Sequence, residues 1–129
     1  MSGTEVVLDW TDESTYLNNK YEYVIASDCC YDVNYVDDFF KCLNYHLKEE
    51  GVGVIVGPER KAMEVLWTKL EREMGVREFR GEVRTVFEVE DEGRGEPVPP
   101  PPPEERTKVR IFVCGREEER ERFIEEFIL

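Results

Sequence analysis

The apolar residues of this chain switch between two spacings, and each switch marks an element. Val6-Val7-Leu8 is a brief apolar run that predicts a strand over Glu5–Leu8, left through a loop at Asp9-Trp10-Thr11-Asp12. The polar stretch from Asp12 to Lys20 contains Asn18-Asn19, a turn signal, and predicts a short helical turn. Tyr23 to Ala26 is apolar with β-formers at its centre, which predicts a strand buried on both faces. It stops at Ser27-Asp28. Val33, Val36, Phe39, Phe40, Leu43 and Leu47 then recur at the three-and-four spacing of one helical face, predicting a helix over 33–50 ended by Gly51.

Gly51-Val-Gly-Val-Ile-Val-Gly57 reads as a second central strand. Its glycines lie in and before the strand, with the spacing G-x-G-x-x-x-G, so it is not a dinucleotide fingerprint, whose glycines sit between strand and helix. Pro58-Glu59-Arg60 opens a helix over 59–74 with apolar positions at Ala62, Met63, Val65, Leu66, Trp67 and Leu70, and Gly75 closes it. From Arg80 to Glu90, apolar residues alternate with charges, as in an antiparallel strand near a sheet edge. Residues 91–107 are rich in Gly, Glu and Pro, and the unbroken run Pro99 to Pro103 excludes helix and interior strand there. That segment reads as a solvated hairpin insertion. Lys108 to Cys114 resumes the alternation and pairs with the preceding strand, and residues 116–129 form a charged helix that docks through Phe123, Ile124, Phe127 and Ile128.

Length and charge narrow the classes. A chain of 129 residues with 40% hydrophobic content sets the expectation of a single domain with a real core. A formal charge of −13 argues against nucleic acid and for basic partners. No apolar run approaches a membrane span and the start carries no basic or apolar targeting segment, so the expected compartment is cytosol or nucleus. The four cysteines include no Cys-x-x-Cys pair and read as free buried thiols. Cys42 and His46 are spaced to share a metal, but no further ligands accompany them, and His46, the sole histidine, lacks an orienting partner for Cys-His chemistry.

Asp9-Trp10 after an apolar run, followed by Val24-Ile-Ala-Ser-Asp28-Cys-Cys-Tyr31-Asp32, resembles the second half of a class I S-adenosylmethionine-dependent methyltransferase, in particular the protein-lysine methyltransferase family 16 group. Members carry a strand ending in Leu-Asp-Trp and then an Asp-x-x-Tyr (or Phe) motif after a hydrophobic strand. Residues 5 to about 115 follow that pattern. The resemblance implies an α/β fold: the C-terminal portion of a Rossmann-like methyltransferase sheet, ending in an antiparallel hairpin strand and lacking the N-terminal glycine-rich βαβ unit.

It also implies roles. Trp10 and Ser27 would contact the adenosine portion of S-adenosylmethionine, while Asp28 and Tyr31 would line the opening for a target amine. The residues agree in kind, because a carboxylate attracts a cationic substrate and a phenol offers a flat wall with one hydrogen-bonding tip. Each also has a structural alternative: Trp10 as core filler, Asp28 as a helix cap, Tyr31 as core or rim. Arg60 and Glu59 read as solvated. The family's glycine-rich turn and ribose-holding acid precede the Leu-Asp-Trp strand, and only eight residues precede Asp9 here.

The sequence therefore predicts weak binding or none to S-adenosylmethionine by this chain alone. It also predicts a bare edge at Tyr23–Ala26 that invites a partner chain or self-association. Three readings stay open: a piece of a longer methyltransferase, an acidic interaction module or regulatory subunit, or a site completed by a second chain.

Overall fold

The computed structural model describes residues 3–83 and 107–129. After a 3-10 turn at Glu13–Thr15, capped by the Asp12 side chain, the chain forms β1 (Tyr21–Ser27), α1 (Val36–His46), β2 (Leu47–Pro58), α2 (Lys61–Glu73), β3 (Val76–Val83), β4 (Thr107–Cys114) and α3 (Glu117–Phe127). The four strands make one mixed sheet in the order β1-β2-β4-β3. β1 runs parallel to β2, with Val24 beside Gly53 and Ala26 beside Ile55. β4 is antiparallel to both β2 and β3, so it enters between them as the reversed strand. This is the α/β arrangement, with an antiparallel closing hairpin, that the resemblance implies.

The helices divide between the two faces. Phe39 and Leu43 of α1 join Met63, Leu66 and Leu70 of α2 over Ile55 and Phe112, all buried. On the opposite face Ile124 of α3 closes over Val52 and Val113, with Phe79 and Phe123 packed at the margin. Periodicity in the helices delivered these contacts, since residues three and four apart share a face.

Three expectations are corrected. Glu5–Leu8 forms no strand; residues 3–9 join no ladder, and Val6 and Val7 face solvent. Tyr23–Ala26 is indeed strand, but it is not buried on both faces: β1 is an outer strand, with Ile25 73% exposed and Tyr23 52%. Among the described residues no strand pairs with β1 on its other side, as expected. The helix expected to reach residue 50 stops at His46, and Leu47 begins β2, pairing with Tyr21.

Gly51 explains the last error. It is not a helix terminator but a strand residue, where a Cβ would lie 2.9 Å from the Lys48 carbonyl oxygen and 3.0 Å from that of Tyr21. Only a residue without a side chain permits that approach. Gly53 and Gly57 likewise sit within β2, in keeping with a strand rather than a phosphate loop. Gly75 does close α2: its φ is +84° and its N–H donates to the Leu70 carbonyl at 2.8 Å. The strand expected over Arg80–Glu90 starts earlier, at Val76; its part beyond Val83, and the proline-rich segment, lie outside the described residues.

Candidate functional site at the end of the first strand

The carboxyl end of β1 is framed by two turns, and the first presents Trp10. The Asp9 carboxylate accepts from the Thr11 N–H at 2.9 Å and from its hydroxyl at 2.7 Å. Those bonds hold the Asp9 carboxyl below its ordinary range, the hydroxyl contributing most. The Asp12 N–H donates back to the Asp9 carbonyl at 3.0 Å, and the Thr15 hydroxyl accepts from the Asp9 N–H at 2.9 Å. Tyr16 adds a hydroxyl bond to the Trp10 carbonyl at 3.0 Å. A Leu-Asp-Trp sequence folds this way because the aspartate ties its own turn. The indole is left edge-on to Phe39, ring centroids 5.5 Å apart.

Beside it lies a cleft of about 190 Å³ lined by Leu8, Trp10, Ser27, Cys29, Phe39 and His46, among others. Its walls are mainly apolar, and Ser27 supplies a hydroxyl at the end of β1. His46 is buried and fixed: its Nε2 accepts from the Leu17 N–H at 3.0 Å, so Nδ1 carries the proton toward the Cys42 carbonyl 2.7 Å away. That arrangement pins the segment before β1 to α1. It gives His46 the orienting partners that sequence inspection did not find, but both ring nitrogens are spent on backbone groups.

The second turn follows Ser27. Asp28 has φ +53°, a left-handed conformation uncommon for a residue with a side chain. Its N–H continues the ladder to the Val56 carbonyl at 2.7 Å, and its carboxylate meets the Arg60 guanidinium at 3.0 Å. Asp28 is therefore not the cap of the next helical segment. Asp32 performs that task, its side chain accepting from the Asn34 N–H at 2.9 Å. Arg60 and Glu59, read from sequence as solvated, are both paired, Glu59 with Arg80 at 2.6 Å.

Tyr31 is exposed and lines an open crevice with Asp9, Trp10, Thr11 and Tyr35. The structure thus brings Trp10 and Ser27 to one cleft and Trp10 and Tyr31 to the adjoining crevice, with Asp28 engaged by Arg60. Sequence reasoning missed Phe39 and Arg60. Phe39 was visible only as one member of an apolar helical stripe. Arg60 gave no local signal, because its partner is distant in sequence. The cysteines are free thiols, and burial raises those of Cys29 and Cys30, the latter to about 11. Neither is an activated nucleophile.

An apolar cleft with one indole and one hydroxyl suits a planar, weakly polar ring joined to a sugar. It offers no counter-charge for an amino-acid end. The lining therefore fits the adenosine part of S-adenosylmethionine and not, by itself, the methionine part.

A mixed α/β sheet with helices on both faces is consistent with part of a Rossmann-like fold. This chain belongs to the lysine methyltransferase family, whose sequence model matches residues 4–72. Family members act with S-adenosylmethionine. Among solved structures, a protein of Thermoplasma acidophilum provisionally described as a methyltransferase is similar at 17% identity and a TM-score of 0.49. The likeness covers 84% of this chain and 44% of that one, so the chain spans under half the length of that protein. No curated protein matches the chain.

Proposed function

We propose that this chain carries the adenosine-facing and amine-facing wall of a protein-lysine N-methyltransferase. The observation that supports this most is the convergence of Trp10 and Ser27 on one apolar cleft at the end of β1, with Tyr31 around the same indole. Bound S-adenosylmethionine would supply an electrophilic methyl group on a sulfonium. Trp10, Phe39 and Ser27 would hold its adenosine end. Tyr31 would give the incoming lysine side chain a flat wall, and Asp28 would add negative charge at the mouth. Because Arg60 already engages that carboxylate, Asp28 would act by positioning the amine. Positioning is the main contribution a protein makes to such a displacement. A protein substrate that presents lysine fits the chain's charge of −13.

Calorimetry with adenosine and with S-adenosylmethionine tests the assignment. If the chain supplies only the adenosine wall, both bind weakly and to a similar extent, and Trp10→Ala abolishes both signals. Micromolar affinity for S-adenosylmethionine with none for adenosine would refute the division of the site. Absence of binding by both would remove the cleft from the reading.

A second reading, an acidic interaction module, draws on the formal charge of −13 and on the exposed Tyr23 and Ile25 side chains of β1.

A further inference from the structure

In open α/β sheets, ligands bind outside the carboxyl ends of the parallel strands. Beyond those ends of β1 and β2, two opposite charges stand side by side. Asp28 follows the last residue of β1, and Arg60 lies two positions past the end of β2. They meet through a single Nη2 to Oδ1 contact of 3.0 Å, with the Arg60 side chain 36% and the Asp28 side chain 62% exposed. Neither side chain makes another hydrogen bond or ion pair among the described residues. The neighbouring charges are engaged elsewhere. Asp9 and Asp32 bind the backbone of their own turns, and Glu59 is turned to Arg80 of β3 at 2.6 Å. Ser27 and Cys29, on either side of Asp28, line the apolar cleft, and Tyr31 lines the adjoining crevice.

We propose that Asp28 and Arg60 together select a lysine that has a carboxylate beside it, the substrate exchanging one ion pair for two. The lysine ammonium takes Asp28, and the neighbouring acid takes Arg60. The inference deepens the proposed function and rests on it for the identity of the cation. Asp28 alone would attract any cation, but Arg60 at 3.0 Å sets a positive charge at the same place and repels an incoming ammonium. A plain lysine has to displace Arg60 and leaves the guanidinium without a partner. A lysine accompanied by an acid leaves neither charge unmatched. The exchange is easy, because an exposed ion pair of this kind holds little free energy. The guanidinium is also a planar fork of donors suited to a second carboxylate. In an extended segment, residues two apart share a face, so an acid two positions from the lysine meets the pair most directly. Discrimination is a penalty on the wrong neighbour as much as a contact with the right one. A lysine with an arginine beside it brings a second cation against Arg60. The chain's charge of −13 draws basic proteins without distinction, and this pair adds the local choice that net charge lacks.

Titration of the full chain with blocked tripeptides at low ionic strength, followed by NMR at the Asp28 amide and the Arg60 Nε–H, tests it. The probes are Lys-Ala-Glu, Lys-Ala-Gln and Lys-Ala-Arg, each acetylated and amidated. Lys-Ala-Glu should bind about threefold to fivefold more tightly than Lys-Ala-Gln, the size of one exposed ion pair. Lys-Ala-Arg should bind more weakly than either, and the differences should narrow as salt is added. Arg60→Gln should erase the preference for glutamate, and Arg60→Glu should reverse it in favour of Lys-Ala-Arg. Circular dichroism checks the fold of each variant, and two substitutions are used so that misfolding of one leaves the other to decide. Three results would each overturn the proposal: equal affinity for Lys-Ala-Glu and Lys-Ala-Gln; a glutamate preference that persists after Arg60 is replaced; or no shift at Asp28 and Arg60 with any probe. Calorimetry with adenosine judges the methyl-transfer reading separately. Adenosine binding without peptide discrimination would sink this inference alone, whereas discrimination without adenosine binding would support the exchange and remove the cleft from the reading.

Discussion

Arg60 holds Asp28 at 3.0 Å, across the gap between the end of β1 and the start of α2. The pair joins a residue in a left-handed backbone conformation to the first turn of a helix over thirty positions away. Both side chains remain solvated, so the bond itself contributes little to stability. Its importance is geometric: it sets where the Asp28 carboxylate points just beyond the end of β1.

Two substitutions separate that carboxylate from its backbone. Asp28→Gly keeps the positive φ without penalty, whereas Asp28→Ala retains it at a cost of about 1 kcal/mol. Thermal unfolding should rank the glycine variant above the alanine variant by that margin. If the proposed function holds, methyl transfer by the protein that carries this chain should be lost in both to the same degree. Activity surviving in Asp28→Gly would assign the residue to turn formation alone.

Arg110 is buried on β4, bonded to Glu78 of β3 and Glu64 of α2, with its guanidinium 4.9 Å from the Phe112 ring centroid. Removing the cation alone leaves the half-buried Glu78 with only the longer Arg80 contact at 3.7 Å, so Arg110→Ala should cost about 3 kcal/mol in urea unfolding. Replacing both ends, as Arg110→Met with Glu78→Leu, should recover most of that loss, because the pair's desolvation penalty disappears with it. A double variant as unstable as the single one would show that packing, not charge, decides this position.

His46 is a tether. Its ring joins Leu17 to α1 through two backbone bonds, and His46→Phe leaves both groups unsatisfied. The expected loss is about 2 kcal/mol of stability. Because this tether leads into the Trp10 turn, the same variant should weaken adenosine binding. His46→Gln, which can still accept and donate, should lose less of each.

Stability should fall at high pH. Burial pushes the Cys114 thiol to about 12 and Cys30 to about 11 from an ordinary 9.0, and pushes the Tyr16 phenol to about 12 from 10.0. Above the ordinary values the unfolded chain releases protons that the folded chain keeps. The unfolded state then binds fewer protons, so the slope of stability with pH is negative between about pH 9 and about pH 12. Denaturant midpoints measured across that window should decline. Cys114→Ala should flatten the decline, and an unchanged slope would mean that this thiol is solvated in the folded chain.

The parts of the fold legible in the sequence were those written in periodicity. Val36, Phe39 and Leu43, like Leu66 and Leu70, announced both helices and the faces they bury. The alternation in Lys108–Cys114 announced β4. What failed were signals with two meanings. Leu47 continues the helical stripe yet begins a strand, since its backbone finds Tyr21. Gly51 marks a close approach of chains and not a helix end. Tyr23–Ala26 is as apolar as an interior strand because apolarity reports the wish for burial, not whether a neighbour exists. At the site, Trp10 was legible because the Asp9 turn is local. The Asp28–Arg60 contact was not, because no spacing rule links residues that meet only after the sheet has formed.

β2 is bonded on both sides, to β1 through Val52–Val56 and to β4 through Gly53–Pro58. Its amides at Val54 to Val56 should therefore be among the last of the described residues to trade protium for deuterium, well after those of β1. The site stands on this gradient: its Ser27 wall hangs from the outermost, most readily loosened strand, and its Phe39 wall belongs to the packed interior. A ligand gripping both would be felt as slowed exchange along the first strand, and hardly at all in the second.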